Sequence, residues 1–198
     1  KNNVLGITNL NTRDLTIKIR NLGALKAAII NGIDNRVNFK NMLKKVNNWN
    51  GIKNLDLAQL VTCKKPYVFK NVQKNKNKLN IVAIDFGCKK NILNLLDSNG
   101  FRITVVPCTF SYEKIMAYNP AGIFLSNGPG DPFATSKYAL DSINKLVKQK
   151  LPIFGICLGH QLLALALNAK TVKMHHGHHG VNQPVKYLST NKIEITSQ

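Results

Sequence analysis

The sequence is poor in negative charge. Nine Asp and Glu face 28 Lys and Arg among 198 residues, a formal net charge of +19. Such an excess invites a nucleic-acid reading. Yet 24 of the cations are Lys, four are Arg, and Asn occurs 26 times. Lys, Asn and Ile enriched together are what A+T-rich coding produces, and the cations are scattered along the chain. The charge is therefore read as compositional drift, with polyanion binding and attraction to an acidic partner as secondary readings. The one dense run, Lys70 to Lys78, is read as linker, and no nucleic-acid partner is expected.

Other features are missing too. No apolar run approaches the ~18 residues of a membrane span, so no membrane partner is expected. Lys1-Asn2-Asn3-Val4 leads into mixed sequence without the apolar core of a secretion signal. The four cysteines, Cys63, Cys88, Cys108 and Cys157, have no C-x-x-C spacing, which argues against a zinc ribbon or a disulfide scaffold and for a reducing, cytoplasmic setting. No G-x-x-x-x-G-K-[ST] phosphate loop is present. Because the chain opens on Lys1 and Thr196-Ser197-Gln198 follows directly on a strand-like run, both ends are expected to be cut from something longer.

What is present is a 44% hydrophobic composition, enough for a core. Residues 1–65 read as one smaller α/β unit. A helix capped at Asn11-Thr12 ends at Gly23, a short strand spans Ala27–Ile30, and an amphipathic helix runs from Val37 to Val46. Asp56 is expected to cap a short helix through Val61. Residues 66–79 are expected to be a linker. From residue 80 the pattern changes. Apolar strands at 81–84, 103–106, 122–125 and 152–154 alternate with helices at 89–96, 112–117, 136–148 and 158–167. Alternation of this kind implies βαβ units and a doubly wound, mostly parallel sheet. In such sheets sites form where strands end. Residues 181–188 and 192–196 read as an antiparallel pair.

The strongest chemical signal is Gly155-Ile156-Cys157-Leu158-Gly159-His160-Gln161. An apolar strand enters, an apolar helix leaves, and glycines two before and two after the centre permit a sharp turn. This is the nucleophile-elbow design with sulfur in place of a hydroxyl. The positive helix end favours thiolate, the reactive form. The competing reading makes Cys157 a small core residue, and the flanking glycines decide against it. The second signal is Ser126-Asn-Gly128-Pro-Gly130-Asp131-Pro132, whose backbone N–H groups can line an oxyanion nest at a strand end. The other cysteines lack a base or a glycine frame and read as buried small residues, although Cys88, at a helix start, leaves room for incidental reactivity. The cluster His175, His176, His178, His179 lacks zinc-helix spacing, and no metal is assigned. Arg13 with Asp14 reads as a surface pair, and Trp49 as a packing anchor.

These two motifs together resemble the class I, triad-type glutamine amidotransferases. Asn9-x-Asn-Thr-Arg13, Asp85-Phe-Gly87, Ala169–Met174, Gly177-His-His-Gly180 and Asn182-Gln-Pro-Val185 narrow the resemblance to the small chains of carbamoyl-phosphate synthetases, over residues 6–198. The resemblance implies a flavodoxin-like glutaminase domain at 80–198, preceded by the small-chain N-terminal domain at 1–65, both partial. It implies Cys157 as nucleophile on the glutamine carboxamide, giving a thioester and ammonia. It places the oxyanion hole at Gly128 and Leu158 and glutamine contacts at Gly128, Gly130, Leu158 and Gln161. Ammonia would pass to a large synthetase chain that uses ATP and Mg2+ to make carboxyphosphate and then carbamoyl phosphate, serving arginine and pyrimidine biosynthesis. No cofactor is implied for this chain itself. The family's general-base His and its orienting Glu would fall beyond Gln198. His160 is not that base, so residues 1–198 alone are expected to hydrolyse little glutamine. The other reading is a non-catalytic subunit that docks on the same synthetase chain.

Overall fold

The computed structural model describes residues 4, 6–30, 36–70 and 79–197. Most of the Lys70–Lys78 run falls outside them. In chain order the elements are α1 (Thr12–Leu22), α2 (Arg36–Asn48), α3 (Ala58–Val61), β1 (Tyr67–Val68), β2 (Asn80–Asp85), α4 (Lys90–Ser98), β3 (Arg102–Pro107), α5 (Tyr112–Met116), β4 (Gly122–Leu125), α6 (Pro132–Lys148), β5 (Ile153–Gly155), α7 (Leu158–Ala166), β6 (Gln183–Tyr187) and β7 (Lys192–Thr196). None of the described helices is long and apolar enough to cross a membrane.

Two compact units emerge: Ile52–Thr171, and Lys1–Gly51 with Val172–Gln198. The boundary expected at residue 65 therefore falls inside the first unit. The reason is tertiary. Ala58 is fully buried in the core of the sheet unit, Thr62 Oγ1 donates to the Asp85 carbonyl at 2.6 Å, and β1, within the expected linker, pairs with β3.

In the Ile52–Thr171 unit the sheet order is β1-β3-β2-β4-β5. β1 is antiparallel and the other four strands are parallel. The chain leaves β2 for β3 on one side and returns to β4 on the other. This reversal makes the C-terminal ends of β2 and β4 the switch point, where doubly wound α/β sheets form their binding crevice. β2 residues 82–85 are buried without alternation, the mark of a sheet covered on both faces. One face packs Val82, Ile84, Ile123 and Leu125 against Ile143, Leu146, Leu158 and Leu162. The other packs Ala83, Ile103, Val105 and Phe124 against Leu93. Each such side chain contributes roughly 1.5–3 kcal/mol by leaving water.

Asp131 caps α6, its Oδ1 accepting the Phe133 N–H at 2.9 Å, with Pro132 in the first turn. The helix thus begins four residues earlier than the periodicity from Ser136 indicated. Asp56 does not cap α3, whose N-cap position is Leu57 without a side-chain bond. Its carboxylate instead accepts from Thr135 Oγ1 and Tyr138 OH, each at 3.4 Å.

In the other unit, Asn11 Oδ1 accepts the Asp14 N–H at 3.2 Å and Gly23 closes α1 at φ 83°. Asp14 is held by Asn11 Nδ2 at 2.8 Å rather than by Arg13. Residues 27–30 form no strand, the short apolar run having no strand neighbour to pair with. The Ala24 N–H donates to the His175 carbonyl at 3.1 Å. β6 and β7 form the expected antiparallel pair. Trp49 is not a buried anchor: it is exposed and lines an open cavity with Ile30 and Met42.

Candidate active site

Three turns meet at the crevice: residues 85–87 after β2, 126–131 after β4 and 155–157 after β5. The last is the elbow. β5 pairs with β4 up to Gly155↔Leu125, and α7 starts at Leu158 with Cys157 as its N-cap. Cys157 sits at φ 52°, ψ −112°, a region that costs a non-glycine residue on the order of 1–3 kcal/mol. Close contacts enforce the strain. A Cβ at Gly155 would stand 2.7 Å from the Gly159 carbonyl carbon and the His160 nitrogen, and one at Gly159 would collide with the Leu125 carbonyl oxygen. The Gly159 N–H reaches the Ser126 carbonyl at 3.1 Å, and the Ile156 N–H reaches Leu125 at 3.1 Å. The outcome is a bend too tight to bury its apex, and the Cys157 side chain is exposed.

The oxyanion candidates come together. A Cβ on Gly128 would collide with the Phe86 carbonyl oxygen and lie 2.9 Å from Leu158 Cδ2, so the 126–131 turn lies directly against the first residue of α7. Leu158 is buried. As the first helical residue it has no carbonyl four residues back within the helix to accept its N–H, which leaves that donor for a ligand. Gln161 is exposed one turn along α7, its N–H bonded to the Cys157 carbonyl at 3.0 Å. Gly130, at φ 98°, presents its α-carbon to the backbone of Leu55 and Leu57. His160 is exposed on α7.

The sequence does not show the carboxylate that ties the turn after β2 to the segment around Cys63. Asp85 is a buried carboxylate, 7% exposed. Its Oδ1 accepts the N–H groups of Gly87 and Cys88 at 2.9 and 2.8 Å, and its Oδ2 that of Cys63 at 2.7 Å. An Asp at a strand end followed two residues later by Gly is an Asx-turn signal that could have found it. Ser126 Oγ accepts from the Phe86 N–H at 2.9 Å, and Asn127 bridges the Gly87 carbonyl and the Lys89 N–H, both at 3.1 Å. The elbow's neighbours are thus fixed by polar ties at the crevice floor.

The same carboxylate separates the cysteines. Burial first, and Asp85 second, pushes the Cys88 thiol up to about 11 and the Cys63 thiol up to about 12. Burial also raises Cys108. All three shifts disfavour the thiolate, and so weigh against the expectation of incidental Cys88 reactivity. Cys63 and Cys88 are half-buried and Cys108 is buried.

No three His, Cys, Asp or Glu among the described residues are grouped to hold a metal ion. The imidazoles of His175 and His176 meet edge to face at 5.6 Å, and those of His176 and His178 stack at 6.0 Å.

The site thus sets a strained, exposed thiol at a helix start beside a glycine-containing turn. Residues 82–198 match the family "Glutamine amidotransferase class-I". The chain belongs to the class I glutamine amidotransferases. It is 47% identical to the carbamoyl phosphate synthase small chain of Bartonella henselae, over 100% of this chain and 52% of that protein. It is 48% identical to the protein of that name from Bartonella quintana, over 98% and 51%. A third, from Brucella ovis, is 45% identical over 98% of this chain and 50% of its own length. This amidotransferase chain therefore spans about half the length of the relatives it matches.

Proposed function

We propose that this chain is part of a carbamoyl-phosphate synthase small chain and supplies ammonia from glutamine. The observation that carries the reading is the position of Cys157: exposed on a strained elbow with Gly128 and Leu158 beside it. Thiolate sulfur attacks the glutamine carboxamide carbon. The N–H groups of Leu158 and Gly128 receive the developing oxyanion, a contribution worth roughly 10²–10³ per donor. Collapse, with a proton delivered to the leaving nitrogen by the general acid–base, expels ammonia and leaves a glutamyl thioester, which water cleaves to glutamate. Gly130 and Gln161 are the proposed further contacts to glutamine.

The ammonia acceptor is a large synthetase chain that binds ATP and Mg2+ and makes carbamoyl phosphate from bicarbonate for arginine and pyrimidine synthesis. This chain itself is proposed to need no cofactor and to work in the cytoplasm. The family resemblance places the general-base His in the part of the relatives that this chain does not cover, so residues 1–198 alone should turn over glutamine ~10²–10⁴-fold more slowly than the longer protein.

The test is Cys157→Ser in the full-length protein assembled with its synthetase partner. Glutamine-dependent carbamoyl phosphate formation should fall at least ~10³-fold, while formation from free ammonia persists. Retained glutamine use would refute the assignment. Wild-type protein that supports ammonia-dependent but never glutamine-dependent synthesis would favour a docking subunit.

A further inference from the structure

The 126–131 turn is held from outside the segment that matches the amidotransferase family. Residues 54–63 run as a strap across the strand ends of the sheet unit. At one end Thr62 Oγ1 donates to the Asp85 carbonyl at 2.6 Å and accepts the Cys108 N–H at 3.0 Å. At the other end the strap meets Asp131, whose two carboxylate oxygens serve different elements. Oδ1 caps α6 through the Phe133 N–H at 2.9 Å, and Oδ2 accepts the Asn54 N–H at 2.7 Å. The Asp131 N–H returns the tie to the Leu55 carbonyl at 2.9 Å. Asp56 adds Thr135 and Tyr138 of α6. Between these ties a Cβ on Gly130 would stand 2.8 Å from the Leu55 oxygen and 2.9 Å from the Leu57 nitrogen. The turn is clamped between strap and elbow, with Gly128 on the elbow side.

We propose that Asp131 is a positioning residue for the glutaminase reaction: by tying the strap at Asn54 to the start of α6, it fixes the Gly128 N–H where the oxyanion forms. This rests on the amidotransferase reading above. A cap alone would need one acceptor, and the second oxygen is the one the strap uses. Asn carries a single side-chain acceptor. It is as good an N-cap as Asp, so Asp131→Asn keeps the helix start and cuts the side-chain bond to Asn54, leaving the backbone bond to Leu55.

The experiment compares Asp131→Asn with wild type in the full-length small chain complexed with its synthetase partner. Because an oxyanion donor acts mainly in the transition state, kcat for glutamine should fall ~10–100-fold while KM changes by less than about threefold. Amide exchange at residues 54–57 and 128–130 should accelerate, and exchange within β2 and β3 should not. Ammonia-dependent synthesis, run by the partner, reports that the complex is intact. A kcat within twofold of wild type overturns the proposal, as does a loss that merely tracks a lower folded fraction. If wild type itself cleaves no glutamine, the amidotransferase reading fails instead, and the exchange pattern alone then judges the tie.

Discussion

The two compact units spend similar sequence in different ways. In Ile52–Thr171, buried side chains from β2, β3, β4 and all five helices close two clusters. In Lys1–Gly51 with Val172–Gln198, Gly23 alone is buried among the described residues. No residue of α1 is buried, and Leu22, Phe39 and Ile195 are 66%, 50% and 67% exposed. Both regions carry amphipathic helices and apolar strands that sequence periodicity reads equally well. Periodicity therefore reports which face is apolar, and only packing shows whether that face is covered. The candidate site lies wholly in the covered unit, where a strained residue such as Cys157 can be held in place by its surroundings.

The comparison is broken most easily by truncating side chains. Leu125 is fully buried, and Leu125→Ala should cost about 2–5 kcal/mol in denaturant unfolding of the full-length protein. Leu22→Ala should stay within about 0.5 kcal/mol. Equal costs would mean that the exposed faces of the second unit are as well packed as the sheet.

Within the sheet unit the cysteines sharpen the contrast. Burial and Asp85 raise the Cys88 thiol to about 11, so less than about one part in 10³ is thiolate at pH 7.5. Alkylation at that pH should label Cys157 at least ~10-fold faster than Cys88. Labelling of Cys88 should climb as pH approaches 11, because a raised pKa withholds the nucleophilic form until then. A fast neutral-pH reaction at Cys88 would show that its burial is transient.

Legibility followed the range of the interactions. The β5–α7 elbow was readable because Gly155 and Gly159 are demanded by contacts within a few residues of Cys157 and by the adjacent strand. The strap was not readable. Asn54 and Asp131 are 77 positions apart, and Asp56 meets Tyr138 across 82, so local pattern assigned Asp56 to a cap and 66–79 to a linker. Asp131-Pro132 is a local signal for the start of α6, a capping residue followed by proline, but the same residues also complete the glycine-rich nest pattern, which masks it. Asp85 was noticed as motif and missed as hub, since nothing local shows that its carboxylate collects the Cys63 N–H from 22 residues upstream. The run Ala27–Ile30 has strand-like composition but forms no strand, because strand formation needs a neighbour that composition does not supply.

The central claim is that Cys157 is the one thiol presented for attack on a carboxamide. A glutamine-mimicking electrophile, incubated with the full-length protein and followed by peptide mass mapping, tests it directly. The account predicts a single adduct on Cys157, suppressed by added glutamine. An adduct on Cys63, Cys88 or Cys108 with Cys157 unmodified would contradict it.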